Sequence, residues 1–178
     1  MAITAGKVPA ILLVLITGIS LAGCGLTQKV KDSTISVTKS IFYKQVKTLH
    51  LDLQAREGVN NNANGASLAT IVRIYQLRDR KSFDDSDYPS LFADDSQAIK
   101  ADLIAQNDVR LRPGETVTID VPMEEDAQFV AIAGMFIDPD QVNNTWRLVL
   151  AREELDPDKP RIIEARNNVL TLHPVKDE

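Results

Sequence analysis

From Val46 onward, apolar side chains fall at every second position in short runs, and each run ends in a turn signal. Leu49, Leu51 and Leu53 alternate with His50, Asp52 and Gln54. Successive side chains of a strand point to opposite faces, so this alternation predicts a half-buried strand. The pattern returns around Leu68–Leu77, at Val109–Arg112, at Val117, Ile119 and Val121, and at Trp146, Leu148 and Leu150. It returns again at Arg161–Ala165 and Val169–His173. Phe129–Ile137 is apolar on both faces and reads as a central strand covered on each side. In the second strand, Val72, Ile74 and Gln76 share one face and Ile71, Arg73, Tyr75 and Leu77 share the other; one face is expected to be core and the other partly wet.

The punctuation agrees. Pro113-Gly114 places proline and glycine where a type II turn needs them. Asp138–Asn143 and Asp156–Pro160 supply further turns. Glu57-Gly58-Val59-Asn60-Asn61-Asn62-Ala63-Asn64-Gly65 reads as a loop, longer than a tight hairpin requires. The stretch from Ser82 to Ile104 is the exception to period two. Phe83, Leu91, Phe92, Ile99 and Leu103 recur at loosely helical spacing, with Ser82 and Asp94 as candidate N-caps and Pro89 suited to a first turn. Two or three short helical pieces are predicted there, inserted around residues 82–104. About seven or eight short strands with turns between them describe an all-β, two-sheet β-sandwich.

The first residues follow different rules. Lys7 is a small positive n-region, Val8–Ile16 an apolar h-region, and Thr17, Gly18 and Ser20 lead into Leu21-Ala22-Gly23-Cys24, the layout of a secretory signal. The uncharged stretch Val8–Gln28 is nearly long enough to span a bilayer, but its second half is rich in Gly, Ser and Thr and no tight basic cluster follows. The tetrad resembles the lipobox of bacterial lipoproteins, which implies cleavage between Gly23 and Cys24, diacylglycerol on the thiol and an acyl chain on the new amine. One chain holds a protein to a bilayer only marginally, whereas two or three hold it durably. Gly25, where lipoproteins retained in the inner membrane of enteric bacteria carry Asp, implies the outer membrane, with the domain facing the periplasm. Three segments follow: a signal peptide at 1–23, a lipidated tether at 24–45 and a sandwich domain at 46–178. Ile41, Phe42 and Tyr43 are an apolar cluster within the tether.

Composition excludes several functions. Twenty basic residues against 25 acidic ones give a net charge of −5, scattered along the chain, whereas a nucleic-acid binder needs a concentrated basic patch. Cys24 is the single cysteine, so no disulfide forms within the chain and no thiol is left for catalysis. His50 and His173 lack metal-ligand spacing and read as ordinary strand residues. No phosphate-binding glycine loop or serine nucleophile motif occurs. The acidic groups at Asp84-Asp85, Asp87, Asp94-Asp95 and Glu124-Glu125-Asp126 have no EF-hand spacing and read as caps, turns and solvated surface. The expectation is a protein with no catalytic residue, metal, cofactor or small-molecule substrate.

Several ordered spans then resemble the TssJ family, the outer-membrane lipoprotein of the bacterial type VI secretion system. They are Leu49-x-Leu51-x-Leu53, the asparagine-bearing loop and Val72-Arg73-Ile74-Tyr75-Gln76-Leu77, then Phe83 and Tyr88 ahead of Leu91. Ala101-Asp102-Leu103, Arg112-Pro113-Gly114-Glu115 and Trp146-Arg147 complete the set. Together they cover roughly residues 47 to 150. The resemblance implies a transthyretin-like sandwich with an added helical segment. It also implies a partner, the periplasmic C-terminal region of the inner-membrane protein TssM, within a complex that also contains TssL. The family's partner-binding element maps to Glu57, Gly58, Val59, Asn60, Asn61, Asn62, Ala63, Asn64, Gly65 and Ala66, while Tyr75, Pro113-Gly114 and Trp146 mark the fold. The alternatives are another periplasmic chaperone or pilotin-like lipoprotein, or a lipid-anchored cell-wall hydrolase.

Overall fold

The computed structural model describes residues 45–93 and 97–175. Gly23, Cys24, the Ile41-Phe42-Tyr43 cluster, the candidate cap Asp94 and its neighbour Asp95 lie outside the described residues. The strands are β1 (Thr48–Val59), β2 (Thr70–Leu77), β3 (Leu103–Leu111), β4 (Thr116–Pro122), β5 (Phe129–Gly134), β6 (Arg147–Ala151), β7 (Arg161–Asn167) and β8 (Val169–Leu172). Two short helices, α1 (Lys81–Asp85) and α2 (Tyr88–Phe92), fall between β2 and β3. One sheet has the order β4-β1-β7-β8 and the other β3-β2-β5-β6, each of four strands. The architecture is the expected all-β sandwich.

Register explains which side chains meet between the sheets. Leu49, Leu51 and Leu53 sit opposite Val121, Ile119 and Val117 of β4, and Leu53 and Ala55 sit beside Ile163 and Ala165 of β7. From the other sheet Val72, Ile74 and Gln76 stand in register with Gly134, Ile132 and Val130. The three leucines of β1 are at most 1% exposed. Burying a leucine fully contributes about 1.5–3 kcal/mol before chain entropy is subtracted. Gln76 is the polar intruder in this layer, and both ends of its amide are satisfied. Its Nε2 donates to Pro122 O at 2.9 Å and its Oε1 accepts from Glu124 N at 2.8 Å, which ties the end of β4 to the facing sheet.

The other face of β2 is half-exposed at Ile71 and Arg73, in keeping with one partly wet face, but closes further along the strand. Tyr75 and Leu77 are buried, not wet, because α1 and α2 lie over that sheet. Phe83 and Leu91, the buried residues of the two helices, supply the cover. Tyr75 meets the Phe83 ring edge-on at 5.7 Å and donates from its hydroxyl to Leu91 O at 3.4 Å. Burial raises the Tyr75 pKa above its ordinary value. Arg147 clamps α1 from β6. Its guanidinium donates to Phe83 O and Ser86 O at 2.7 Å each and to Asp84 O at 2.9 Å. It also lies 5.4 Å from the Phe83 ring centre and 4.9 Å from that of Trp146. A cation on the orphan carbonyls of a helix C-terminus is the arrangement the helix dipole favours. Burial lowers the Arg147 pKa, but arginine remains charged.

Several boundaries move. α1 begins at Lys81 with Arg80 at the N-cap and no side-chain cap, so Ser82 is inside the helix. Asp87 caps α2, accepting from Ser90 N at 2.9 Å, and Pro89 lies in the first turn as expected. β3 starts at Leu103, where the helical stretch was expected to continue to Ile104. Edge pairing with β2 decides this, since Leu103 stands opposite Leu77 after an irregularity in register. β5 also stops at Gly134, short of the expected Ile137, whereas the β3–β4 turn is as expected. Gly114 has φ +72° in the β3–β4 turn, which Glu115 N closes onto Arg112 O at 3.0 Å.

Candidate partner-binding loop

Strand direction sorts the connections between two ends of the sandwich. β1 is antiparallel to β4 and parallel to β7, and β2 is antiparallel to both β3 and β5. The β1–β2, β3–β4, β5–β6 and β7–β8 connections therefore gather at one pole. The chain enters at the other, where Arg152 Nη2 donates to Val46 O at 2.8 Å and Met123 N to Lys47 O at 2.9 Å. A strand rises about 3.3 Å per residue. The 12 residues of β1 thus separate that entry from the loop pole by roughly 40 Å.

The expected loop is shorter at its start than its composition suggests. Glu57, Gly58 and Val59 belong to β1, which continues beyond Ala55 through a register irregularity against β7 and ends with Val59 beside Asn167. Val59 is fully buried. Its single apolar side chain, set among glycine and asparagines, carries the strand into the core. Asn60 is also interior, at 3% exposure and φ +49°. Its Nδ2 donates to Ala69 O at 3.1 Å, its Oδ1 accepts from Ile137 N at 2.8 Å, and its own N–H donates to Asn167 O at 2.5 Å. One residue thus joins three connections of the pole, its side chain bonding within the β1–β2 and to the β5–β6 connection and its backbone N–H reaching the β7–β8 connection. Asparagine tolerates the left-handed backbone better than other non-glycine residues.

The remainder is a built loop. Asn62 N donates to Ala66 O at 3.0 Å, and Asn62 Oδ1 accepts from Asn64 N and Ala66 N at 3.0 Å each. Gly65, at φ +78°, closes the turn by donating to Asn62 O at 2.9 Å. Asn61 and Ser67 form a bridge, with the Ser67 hydroxyl donating to Asn61 Oδ1 at 3.0 Å. The tip, Ala63, Asn64, Gly65 and Ala66, is exposed on this scaffold. Of the ten residues expected in the contact, the first four hold the loop and the last four are offered to solvent. Glu57 does border the pole, because its carboxylate lies over Gly114, where a Cβ would come within 2.9 Å of Oε1.

The neighbouring β5–β6 connection is equally pinned, and sequence reading saw it only as a turn. Asp140 Oδ1 accepts from Val142 N at 3.0 Å and Asn143 N at 2.9 Å, and its Oδ2 accepts from Asn143 Nδ2 at 2.7 Å. These bonds from Asn143, and the one from Val142, hold the Asp140 carboxyl below the usual carboxylate range. A depressed carboxyl stabilises the fold above its unfolded pKa, and that contribution is lost as pH falls through the folded value. The turn is therefore fully pinned at neutral pH. Tyr88 Oη donates to Phe136 O at 2.7 Å, linking this connection to α2.

Trp146 is fully buried behind the pole. It meets the Tyr88 ring edge-on at 5.0 Å and Phe92 at 6.2 Å, and its carbonyl accepts from Gly134 N at 2.8 Å. Its role is in the fold. His50 pairs with Asp120 at 2.5 Å and His173 lies 3.5 Å from Glu164. Among the described residues no three His, Cys, Asp or Glu side chains come together as a metal site. Among those residues no helix is long and apolar enough to cross a membrane.

Comparison with known proteins places this geometry. A family model described as "Type VI secretion lipoprotein, VasD, EvfM, TssJ" matches residues 47–171. A chain in the structure described as "T6SS protein TssM C-terminal domain (869-1107) from EAEC" is 52% identical, with TM-score 0.68, over 73% of this chain and 100% of that one. A chain in "Type VI membrane complex" is 53% identical, with TM-score 0.71, over the same shares, 73% and 100%. TssJ1 of Pseudomonas aeruginosa, 23% identical with TM-score 0.59 over 73% of this chain and 98% of its own, shares the fold. A comparison with curated proteins gives no match. The match spans both sheets and the loop pole, and the chain belongs to the type VI secretion lipoprotein family, a family of membrane-anchored proteins that face the periplasm.

Proposed function

We propose that this chain is a structural, non-catalytic component of the type VI secretion membrane complex. It is held in the outer membrane by acyl chains on Cys24 and binds the periplasmic C-terminal region of TssM through the exposed part of the β1–β2 loop. The observation that carries the reading is the whole chain, half identical to this one, within a structure described by the TssM C-terminal domain. The geometry supports it. The sandwich's entry at Val46 and the exposed tip Ala63–Ala66 lie at opposite ends of β1.

Two experiments test the two halves. Cys24→Ser is expected to move the exported protein from the membrane to the soluble periplasmic fraction, and retention in the membrane overturns the anchor. Ala63→Arg with Asn64→Arg, both at exposed positions, is expected to cut co-purification of the TssM region by about tenfold or more. The melting temperature should stay unchanged. Undiminished capture by that variant overturns the loop assignment.

A further inference from the structure

The loop pole carries an apolar surface that the β1–β2 loop alone does not supply. Four large hydrophobic side chains are exposed among the described residues, and three of them are at this pole: Leu68 at 39%, Ile137 at 55% and Val142 at 89%. Leu68 closes the β1–β2 connection, and the other two belong to the β5–β6 connection. The backbones of Leu68 and Ile137 are fastened to consecutive residues at the end of β1. Leu68 N donates to Val59 O at 3.3 Å, and Ile137 N donates to Asn60 Oδ1 at 2.8 Å. Below them, the Thr70 hydroxyl donates to Met135 O at 2.7 Å and Met135 N to Ile71 O at 2.8 Å, which locks the two connections side by side.

Val142 is exposed by construction of the turn. Asp140 accepts hydrogen bonds from Val142 N and Asn143 N and from the Asn143 amide, which leaves the valine at the crest of a pinned bend.

We propose that Leu68, Ile137 and Val142 form the second half of the partner contact, an apolar docking surface for the same TssM region that the β1–β2 tip engages. This rests on the reading given above and extends it to a different connection. Continuity argues for one occupant, since Asn60 joins both connections and Leu68 already belongs to the loop. Charge argues for its chemistry. A quarter of the chain is charged, yet no charged residue occurs between Glu57 and Arg73, and the β5–β6 connection adds only the acidic Asp138 and Asp140. An anionic lipid headgroup or an acidic peptide finds no positive counter-charge on either connection. An apolar protein surface with hydrogen-bonding groups at its rim finds aliphatic side chains beside the amides of Asn61, Asn62 and Asn64, the common make-up of a protein interface.

The test uses the full acylated chain in detergent, immobilised and titrated with the periplasmic C-terminal region of TssM. Val142→Asp is expected to raise Kd by about tenfold, and Ile137→Asp with Val142→Asp by about a hundredfold. Because Val142 is almost wholly exposed, Val142→Asp should leave the melting temperature unchanged and decides the matter even where the double variant folds less well. Unchanged affinity in Val142→Asp, with affinity lost in Ala63→Arg/Asn64→Arg, overturns this inference and leaves the loop reading standing. No binding by the unaltered chain overturns both. The unacylated Cys24→Ser chain is also tested against vesicles of phosphatidylethanolamine and phosphatidylglycerol. Vesicle binding that Val142→Asp abolishes assigns the surface to lipid and likewise overturns the inference.

Discussion

Trp146→Ala is expected to cost about 3–5 kcal/mol of unfolding free energy, the range for removing a fully buried large aromatic. For a domain of this size that is a fall of roughly 10–20 °C in melting temperature. The loss exceeds a simple cavity because Trp146 holds two layers together. Its ring packs against Tyr88 and Phe92 of α2, and the Arg147 guanidinium that caps α1 lies over its face. Detaching α2 would also uncover Leu91 and Tyr75. Trp146→Phe separates the components. The indole Nε1–H is buried without a hydrogen-bond partner among the described residues. Phenylalanine therefore loses ring volume but no hydrogen bond, and a cost near 1–2 kcal/mol is expected. Thermal unfolding followed by near-ultraviolet circular dichroism measures both. Equal costs for Ala and Phe would refute the packing role.

Asn60→Ala is expected to cost about 2–4 kcal/mol. Roughly 1–3 kcal/mol comes from leaving Ala69 O and Ile137 N without their partner, and about 1 kcal/mol from placing alanine at a left-handed backbone position. Asn60→Gly loses the same side-chain bonds but relaxes the backbone. Glycine is therefore expected to be milder than alanine, the reverse of the usual order in a strand or helix. Denaturant melts of the two variants check the sign. If alanine is the milder, the positive φ of Asn60 is not what selects asparagine. Both variants also loosen the tie between the β1–β2 and β5–β6 connections. Affinity for TssM should fall at temperatures well below the melting transition, because the contact surface is no longer held in shape before binding.

Period two made most of this fold legible. Leu49, Leu51 and Leu53, or Val117, Ile119 and Val121, face one neighbour layer, and the pleat alone assigns them. β2 was half legible. Its two faces were visible but not which one is inner, and the burial of Tyr75 and Leu77 depends on two five-residue helices too short to show a period. The end of β1 was hidden for a different reason. Glu57-Gly58-Val59-Asn60 has the composition of a turn, and only pairing with Asn167 and burial of Val59 keep it in the sheet. At the candidate site the tip Ala63–Ala66 was legible from polarity. The role of Asn60 was not, since its three partners lie 9, 77 and 107 positions away in the chain, the last taken from Asn60 to Asn167. Ile137 and Val142 were hidden likewise, because one sits in an apolar strand run and the other in a turn, and neither context reveals exposure.

The course of β1 bears on how the molecule meets tension. In the proposed arrangement, a pull between the bilayer and TssM enters the domain at Val46 and leaves through the β1–β2 loop. The covalent path between those points is β1 itself. A strand rising about 3.3 Å per residue is already close to the contour limit of its chain, so this path has almost no slack to give. The other seven strands lie outside the taut segment and grip it from both sides, through β4 and β7. Unravelling them would not lengthen the connection. The sandwich then serves as a sleeve around a rod, and displacement at one membrane passes to the partner without being absorbed by the fold between them.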